Sequence, residues 1–509
     1  MAPPTAAAAH CQDLHGRELP HVAVFPLMAK GHTIPLLDLA CLLRRRGLAA
    51  VTLLTTPGNA AFARAALLAG GVGAGGDAAV VELPFPAGHA PAGGESAEGV
   101  ASASSFAAFA EATSPLRPRF EDALEAMRPP AGLLVADGFL YWAHASAAAL
   151  GVPSVSFLGT SAFAHVVRDA CVRDKPGASA QGHDDASTTG GTYTVPEFPD
   201  LRFSLADLVP PPPPPLMELD AKMAVAVAAS HGVIMNTFHD LEGRYIEHWN
   251  RQIGPRAWPI GPQLCLARQS TSDAHASRPP WMLWLDEKAA AGRTVLYISL
   301  GTLAVIPEVQ LKQVADGLER AGVDFLWAVR PNNADLGMGF EERVEGRGNV
   351  VREWVDQRDI LGHSCVRGFL SHCGWNSVLE SVAAGVPLVA WPIEFEQPVN
   401  AKFIVDELGI GVRVHSSDRT IRGLVKSNEI TRVVRELMFG EDGMAMASKA
   451  AKLARQAQLA VSEVGSSWKA KLARQAQLAV SEVGSSWKAI EDMIRELCAT
   501  SKARKSVDG

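Results

Sequence analysis

The chain has 509 residues, 48% of them hydrophobic, and a formal net charge of −7. That length holds two or three domains with large buried cores, and the acidic balance, with no basic run longer than Arg44-Arg45-Arg46, excludes a nucleic-acid footprint. Seven cysteines, an odd number without short spacings, exclude a disulfide framework.

Residues 1–20 lack the basic start and apolar core of a secretory signal and are expected to be a flexible N-terminus. No apolar run reaches membrane-spanning length, so no membrane anchor is expected and the cytosol is the expected compartment. Four apolar segments follow: HVAVFPL (21–27), AAVTLLTTP (49–57), GLLVAD (132–137) and VPSVSFLG (152–159). They read as buried strands alternating with amphipathic helices, the β-α-β order of a parallel sheet covered by helices. GGVGAGG (70–76) has the glycines of a dinucleotide loop but follows a helical segment and precedes a strand, the reverse of the order such a loop requires. This patch, the one at 87–94 and the stretch 176–192 read as loop insertions, and the proline run 210–215 as a stiff loop. Residues 251–283, rich in proline, read as a linker.

A second series of strands then runs through TVLYISLG (294–301), DFLWAVR (324–330), NVVREW (349–354), VRGFLSH (366–372) and PLVAWP (387–392). The expected class is α/β, with Rossmann-like domains at 21–250 and 284–469 and parallel sheets facing across a cleft. After them AKLARQAQLAVSEVGSSWK occurs at 451–469 and again, identical, at 470–488. Two identical copies cannot fill one docking site, so one is expected to pack and the other to lie loosely at the surface. Residues 470–509 then hold the duplicated segment with a C-terminal helix and tail.

The segment from Trp354 to Gln397 carries the densest chemistry. Val366–Leu370 reads as a strand and Asn376–Ala384 as the helix after it, so the turn His372-Cys373-Gly374-Trp375-Asn376-Ser377 faces outward at a helix start. A helix start presents unpaired N–H groups and a partial positive charge, which suits a phosphate without a metal. Gly374 allows close backbone approach, Asn376 and Ser377 are first-turn donors, and His372 adds another. Glu380 lies on the face of Asn376, where a carboxylate accepts ribose hydroxyls. Trp354 offers a flat surface for a base. His363, Cys365, His372 and Cys373 match no usual zinc spacing.

These residues resemble the signature box of plant family 1 UDP-dependent glycosyltransferases, from the opening Trp354 to the closing Gln397. GHTIP (31–35), GVIMNTFHDLE (232–242), WPIGP (258–262), WLD (284–286), LYISLGTL (296–303) and FLWAVR (325–330) follow in the family's order. The resemblance implies the GT-B fold. It places Trp354 under the uracil with Val355 and Gln357 nearby, Glu380 on the ribose, and His372, Gly374, Asn376, Ser377 and Thr302 at the diphosphate. Trp375, Glu396 and Gln397 fall on the sugar hydroxyls, and the final Gln implies UDP-glucose as co-substrate. No cofactor or metal is implied. The doubled segment departs from the family pattern, which has one.

Transfer of a sugar to a hydroxyl needs a base. His32, in FPLMAKGHTIP, sits at a loop-to-helix start after the first strand, where the dipole favours a neutral imidazole. Asp137 ends the strand GLLVAD at the same sheet edge and suits the far ring nitrogen; its alternative role is a cap on the following helix. The family uses this pair as base and partner and inverts the anomeric centre. The expected protein is therefore a monomeric O-glucosyltransferase acting on an apolar small molecule, phenolic or flavonoid-like. Acceptor-binding residues stay open, since Phe139, Tyr141, Trp142 and Phe163 suit a pocket or a core equally well. The alternatives are a UDP-sugar epimerase of the same fold and an inactive UDP-sugar-binding relic disabled by the duplication; a nicotinamide oxidoreductase is disfavoured because no Gly-rich loop follows the first strand.

Overall fold

The computed structural model describes residues 19–71, 78–91, 93–100, 102–176, 191–205, 208, 212–262, 278–301, 306–329, 335–461 and 485–505. The described strands, in chain order, are β1 to β5 (His21–Phe25, Ala50–Thr55, Ala78–Glu82, Leu133–Asp137, Ser154–Leu158), β6 and β7 (Thr192–Val195, Phe198–Ser204), and β8 and β9 (Val233–Met235, Ala257–Pro259). They continue as β10 to β15 (Val295–Ser299, Asp324–Ala328, Gly348–Val351, Val366–Ser371, Leu388–Ala390, Gly411–Arg413). The chain divides into two compact units, each discontinuous in sequence. The first comprises Met1–Gly159, Pro212–Ser272 and Gln458–Gly509, the second Thr160–Pro211 and Asp273–Ala457. This differs from a division at 250 and 284, because the segment after β5 and the last helix each belong to the unit on the other side of that division.

The first unit holds a seven-stranded parallel sheet in the order β3-β2-β1-β4-β5-β8-β9. Every residue of β1 and β4 is buried, as continuous apolar runs in a sheet covered on both faces require. β1 pairs β2 on one side and β4 on the other, Val22 lying opposite Val51 and Leu133. The chain order reverses between β1 and β4, the place in an open α/β sheet where ligands bind outside the carboxyl ends of the strands.

The helix Ser485–Lys505 belongs to this unit. Its Ile490, Met493, Ile494, Leu497 and Cys498 repeat at the spacing of one helical face and lie in the same core as Val22, Leu133 and Trp258. Arg46 fastens its start: the guanidinium bonds Glu491 Oε1 at 2.6 Å and lies 3.5 Å from the centre of the Trp487 ring. The Ser486 hydroxyl donates to the Gly261 carbonyl.

The second unit has a six-stranded parallel sheet in the order β12-β11-β10-β13-β14-β15, beside the antiparallel hairpin β6-β7. Its reversal falls between β10 and β13, whose carboxyl ends lead into Gly301 and His372. The helix Ala162–Asp174 belongs here because its Phe163 stacks on Phe403 at 4.9 Å, and its N-cap Ser161 donates to Asn400 Oδ1 at 2.9 Å. Residues Glu308–Ala321 and Ser427–Phe439 form adjacent helices that approach closely at Gly317, where a Cβ would come within 2.6 Å of Ile430.

Of the duplicated segment, residues 451–461 and 485–488 are described, and the expectation of one packed and one loose copy falls mostly on residues outside them. The helix Glu441–Ala460 ends in the first ten residues of copy one, with Ala454, Ala457 and Ala460 buried, and the last helix begins with the final four residues of copy two. The intervening residues lie outside those described.

Candidate active site

In the first unit, the helix Lys30–Arg45 starts five residues beyond β1 and places His32 in its first turn. β4 ends in Asp137, and adjacent pairing of the two strands brings these residues together: His32 Nδ1 lies 2.7 Å from Asp137 Oδ2. Asp137 is 1% exposed. Its Oδ1 accepts the Phe139 N–H at 3.0 Å, while the helix Tyr141–Ala149 takes no side-chain cap, so Asp137 serves the histidine and its own turn rather than a helix start. With Nδ1 donating to a carboxylate, the ring proton sits on that nitrogen and the Nε2 lone pair points away from it.

Aromatic rings and bare backbone surround the imidazole. Phe139 meets it edge-on at 5.6 Å, Phe106 lies at 6.4 Å, and the two phenylalanines contact each other at 5.1 Å. A Cβ at Gly159 would stand 3.6 Å from His32 Cε1. Among the aromatics of uncertain role, only Phe139 adjoins the histidine in this unit. Trp142 is core, packed on Phe25 and Phe120, and the Tyr141 hydroxyl donates to Glu111 Oε2 at 2.9 Å. Phe163 is a fully buried member of the second unit.

Three further features of this site were not read from the sequence. Lys30 pairs with Glu98 at 3.1 Å, and the Ala97 N–H donates to the Met28 carbonyl at 2.8 Å, so residues 97–98 are tied to the start of the helix that carries His32 and to the loop before it. His144 lies buried between the hydroxyls of Ser154 and Ser156, each at 3.1 Å. Burial pushes its pKa down to about 4 against the opposing charge of Asp137.

In the second unit, β13 runs into His372, Cys373 and Gly374, and the helix Trp375–Ala384 begins there with Gly374 as its extended N-cap. The His372 ring is pressed against two glycines. A Cβ would come within 2.6 Å of its Nε2 from Gly301 and within 2.5 Å from Gly374, so neither position accepts a side chain without moving the ring. Cys373 adopts φ +66°, an unfavourable region for a residue with a Cβ. Two hydrogen bonds hold it: its N–H to Ser371 Oγ at 3.1 Å, and Asn400 Nδ2 to its carbonyl at 3.0 Å. Burial pushes the Cys373 thiol up to about 12, so it is an inert apolar group.

Three residues of the signature segment form one network: Gln357 Nε2 donates to Ser377 Oγ at 2.9 Å and to Glu380 Oε2 at 2.7 Å. Trp354 is 52% exposed, a large flat ring facing solvent, with Val355 half-buried beside it. Asn376 and Ser377 occupy the first turn of the helix. Gln397 is buried, its Oε1 accepting the N–H groups of Ile393 and Glu394 at 2.9 Å each. Glu396 receives a bond of 3.4 Å from Asn400 Nδ2, which therefore reaches both the Cys373 turn and this acid. Trp375 is 2% exposed and packed near Phe403, so its indole belongs to the core in this arrangement. Thr302 lies outside the described residues. Asn400 and Ser161 were missed in the sequence; Asn400 falls three residues past the closing Gln397, with no chemical pattern to mark it.

A parallel-sheet unit with a histidine–carboxylate pair at its switch point, and another with a glycine-capped helix start and an acid on the next turn, fit a nucleotide-sugar transferase of the GT-B fold. The family described as UDP-glucoronosyl and UDP-glucosyl transferase matches residues 259–452. UDP-glycosyltransferase 90A1 of Arabidopsis thaliana is 37% identical over 463 residues, covering 88% of this chain and 94% of that protein. The UDP-glucose flavonoid 3-O-glucosyltransferase 7 of Fragaria ananassa is 34% identical, covering 90% and 94%. Among solved structures, Glycyrrhiza uralensis UGT73P12 complexed with glycyrrhetinic acid 3-O-monoglucuronide superposes with a TM-score of 0.79 at 27% identity, covering 96% of this chain and 98% of that one. The chain belongs to the plant family 1 UDP-dependent glycosyltransferases. Among the described residues, no helix is long and apolar enough to cross a membrane.

Proposed function

We propose that this glycosyltransferase moves glucose from UDP-glucose to a hydroxyl of an apolar aromatic small molecule, with inversion at the anomeric carbon. The carrying observation is the 2.7 Å bond between His32 Nδ1 and Asp137 Oδ2. His32 Nε2 takes the proton of the acceptor hydroxyl as its oxygen bonds to the anomeric carbon. The bond from that carbon to the diphosphate oxygen breaks with its electron pair, and UDP departs. Asp137 keeps the imidazole in the required tautomer and stabilises the imidazolium that forms. The helix start at Trp375, with Asn376, Ser377 and His372, stabilises charge on the leaving diphosphate without a metal. Trp354 stacks on the uracil and Glu380 accepts ribose hydroxyls. Glu396 and Gln397 meet the sugar; because the Gln397 carbonyl is occupied by backbone N–H groups, its amide nitrogen is the end offered to a hydroxyl.

The rings of Phe106 and Phe139 beside His32 support an aromatic acceptor, as do the names of relatives such as the strawberry flavonoid glucosyltransferase and the scopoletin glucosyltransferase of Nicotiana tabacum. The test is a screen of phenolic aglycones with UDP-glucose, comparing the wild type with His32→Ala. Glucoside formation is expected to fall by about 10²- to 10⁴-fold while UDP binding is retained. Undiminished turnover in the variant would overturn the base assignment.

A further inference from the structure

Tyr297 lies in the middle of β10, outside the donor segment. It is 1% exposed and its ring stacks on Phe369 with centroids 5.0 Å apart. Its hydroxyl donates to Gln357 Oε1 at 3.3 Å. Burial raises this phenol above its ordinary range against a hydrogen bond with Ser299 that lowers it, and the charges of Glu380 and Asp356 add to the rise, so the hydroxyl keeps its proton at neutral pH.

Gln357 stands between Tyr297 and the donor residues. Its amide nitrogen has two hydrogens and two acceptors in reach, Ser377 Oγ at 2.9 Å and Glu380 Oε2 at 2.7 Å. The reversed amide would set its carbonyl against the Glu380 carboxylate, so the carboxylate selects the orientation, and the phenol, able to donate or to accept, donates to the Oε1 that this orientation presents. A serine oxygen that accepts from Gln357 keeps its own proton to donate elsewhere, and a carboxylate oxygen fixed by the same amide is held in one rotamer.

We propose that Tyr297 and Gln357 are positioning residues of the donor site. The phenol orients the Gln357 amide, and that amide presets Glu380 as the acceptor for ribose hydroxyls and Ser377 as a donor to the diphosphate before the nucleotide arrives. The inference rests on the reading of this unit as the UDP-sugar site. It assigns Gln357 to act through its two neighbours, with the cost of ordering them met during folding and not during binding.

Calorimetric titration of the wild type and of Tyr297→Phe with UDP and with 2′-deoxy-UDP tests this. The wild type is expected to bind UDP about tenfold more tightly than the deoxy analogue, the value of one hydrogen bond to a carboxylate. Tyr297→Phe keeps the ring and its stack, so UDP affinity should fall roughly three- to tenfold, with a smaller fall for 2′-deoxy-UDP and a narrowed ratio. A wild-type ratio in the variant would overturn the proposal whatever happens to its melting temperature, because a packing role alters the folded fraction and not the discrimination between two ligands. If Tyr297→Phe is not recovered folded, Gln357→Met carries the same measurement with the same two outcomes. Wild-type protein that binds neither nucleotide would defeat the donor-site reading itself. Equal binding of both would remove Glu380 from the ribose and overturn the positioning role while leaving UDP binding intact.

Discussion

His144, which is buried, and His165, which is partly so, show how a desolvated side chain makes its unit sensitive to acid. In the first unit, His144 is held near 4 by burial; in the second, burial and the nearby Arg168 bring His165 to about 3, with Thr160 Oγ1 at 2.7 Å from its ring. An unfolded histidine titrates near 6.5, so below that pH the unfolded chain takes up a proton that the folded one refuses. Each histidine's contribution is thus complete above 6.5 and is lost as pH falls toward its folded value. For His144 the loss between pH 7 and pH 5 is about 2 kcal/mol. His144→Gln keeps a partner for the serines but cannot gain a proton. Urea midpoints for the first unit's transition should therefore drop less between pH 7 and pH 5 in the variant than in the wild type, and equal drops would reject the role of His144. At this scale the sequence was most legible where a motif is local. His32, Asp137, His372, Ser377 and Glu380 stand at turn and helix positions that nearby residues define. Phe106, Asn400 and Tyr297 were not legible, because each acquires its role from a partner outside its own local motif: Phe106 from His32, Asn400 from Cys373 and Ser161, and Tyr297 from Gln357.

At the scale of elements, the duplication separates what is used from what is added. Copy one ends the helix Glu441–Ala460, and copy two starts the helix Ser485–Lys505. The four-residue start SSWK exists twice, yet only the second can begin the docked helix. After the first, Lys471, Arg474 and Gln475 stand where Ile490, Met493 and Ile494 stand after the second, and those three are at most 5% exposed. Burying two unpaired cations there would be prohibitive. Removing residues 462–480 joins Val461 to Ser481 and gives the same single-copy sequence as removing 470–488. The shortened protein should melt within a few degrees of the full one and keep its turnover; a large loss in either would show that the added period is structural. Among elements, the long apolar strands β1, β4, β10 and β13 were evident from composition. β3, β15 and the β6-β7 hairpin were not recognised: β15 has only three residues, and the faces of β3 and the hairpin are exposed or mixed, so neither carries a readable period.

Across the whole molecule, the units are not consecutive lengths of chain, and hydrophobic pattern alone could not reveal this. An amphipathic helix shows which face it buries, not which sheet it buries it against. Ile490, Met493, Ile494 and Leu497 bury almost all of their side-chain surface in the first unit's core. At roughly 1.5–3 kcal/mol for each side chain, their removal costs an amount comparable to the stability of a whole domain. A chain stopped after Gly484 is therefore expected to aggregate or to lose the first unit's cooperative transition, whereas the 19-residue deletion retains it. A soluble, cooperatively melting truncated protein would contradict this accounting.

One consequence concerns synthesis. The ribosome makes β1 and its neighbours early, but the stretch that seals their core emerges only after more than four hundred intervening residues. Until Ile490 to Cys498 have been made, Val22, Leu133 and Trp258 face an open seam, so a nascent chain of this protein should hold chaperones on that unit while the intervening residues are synthesised.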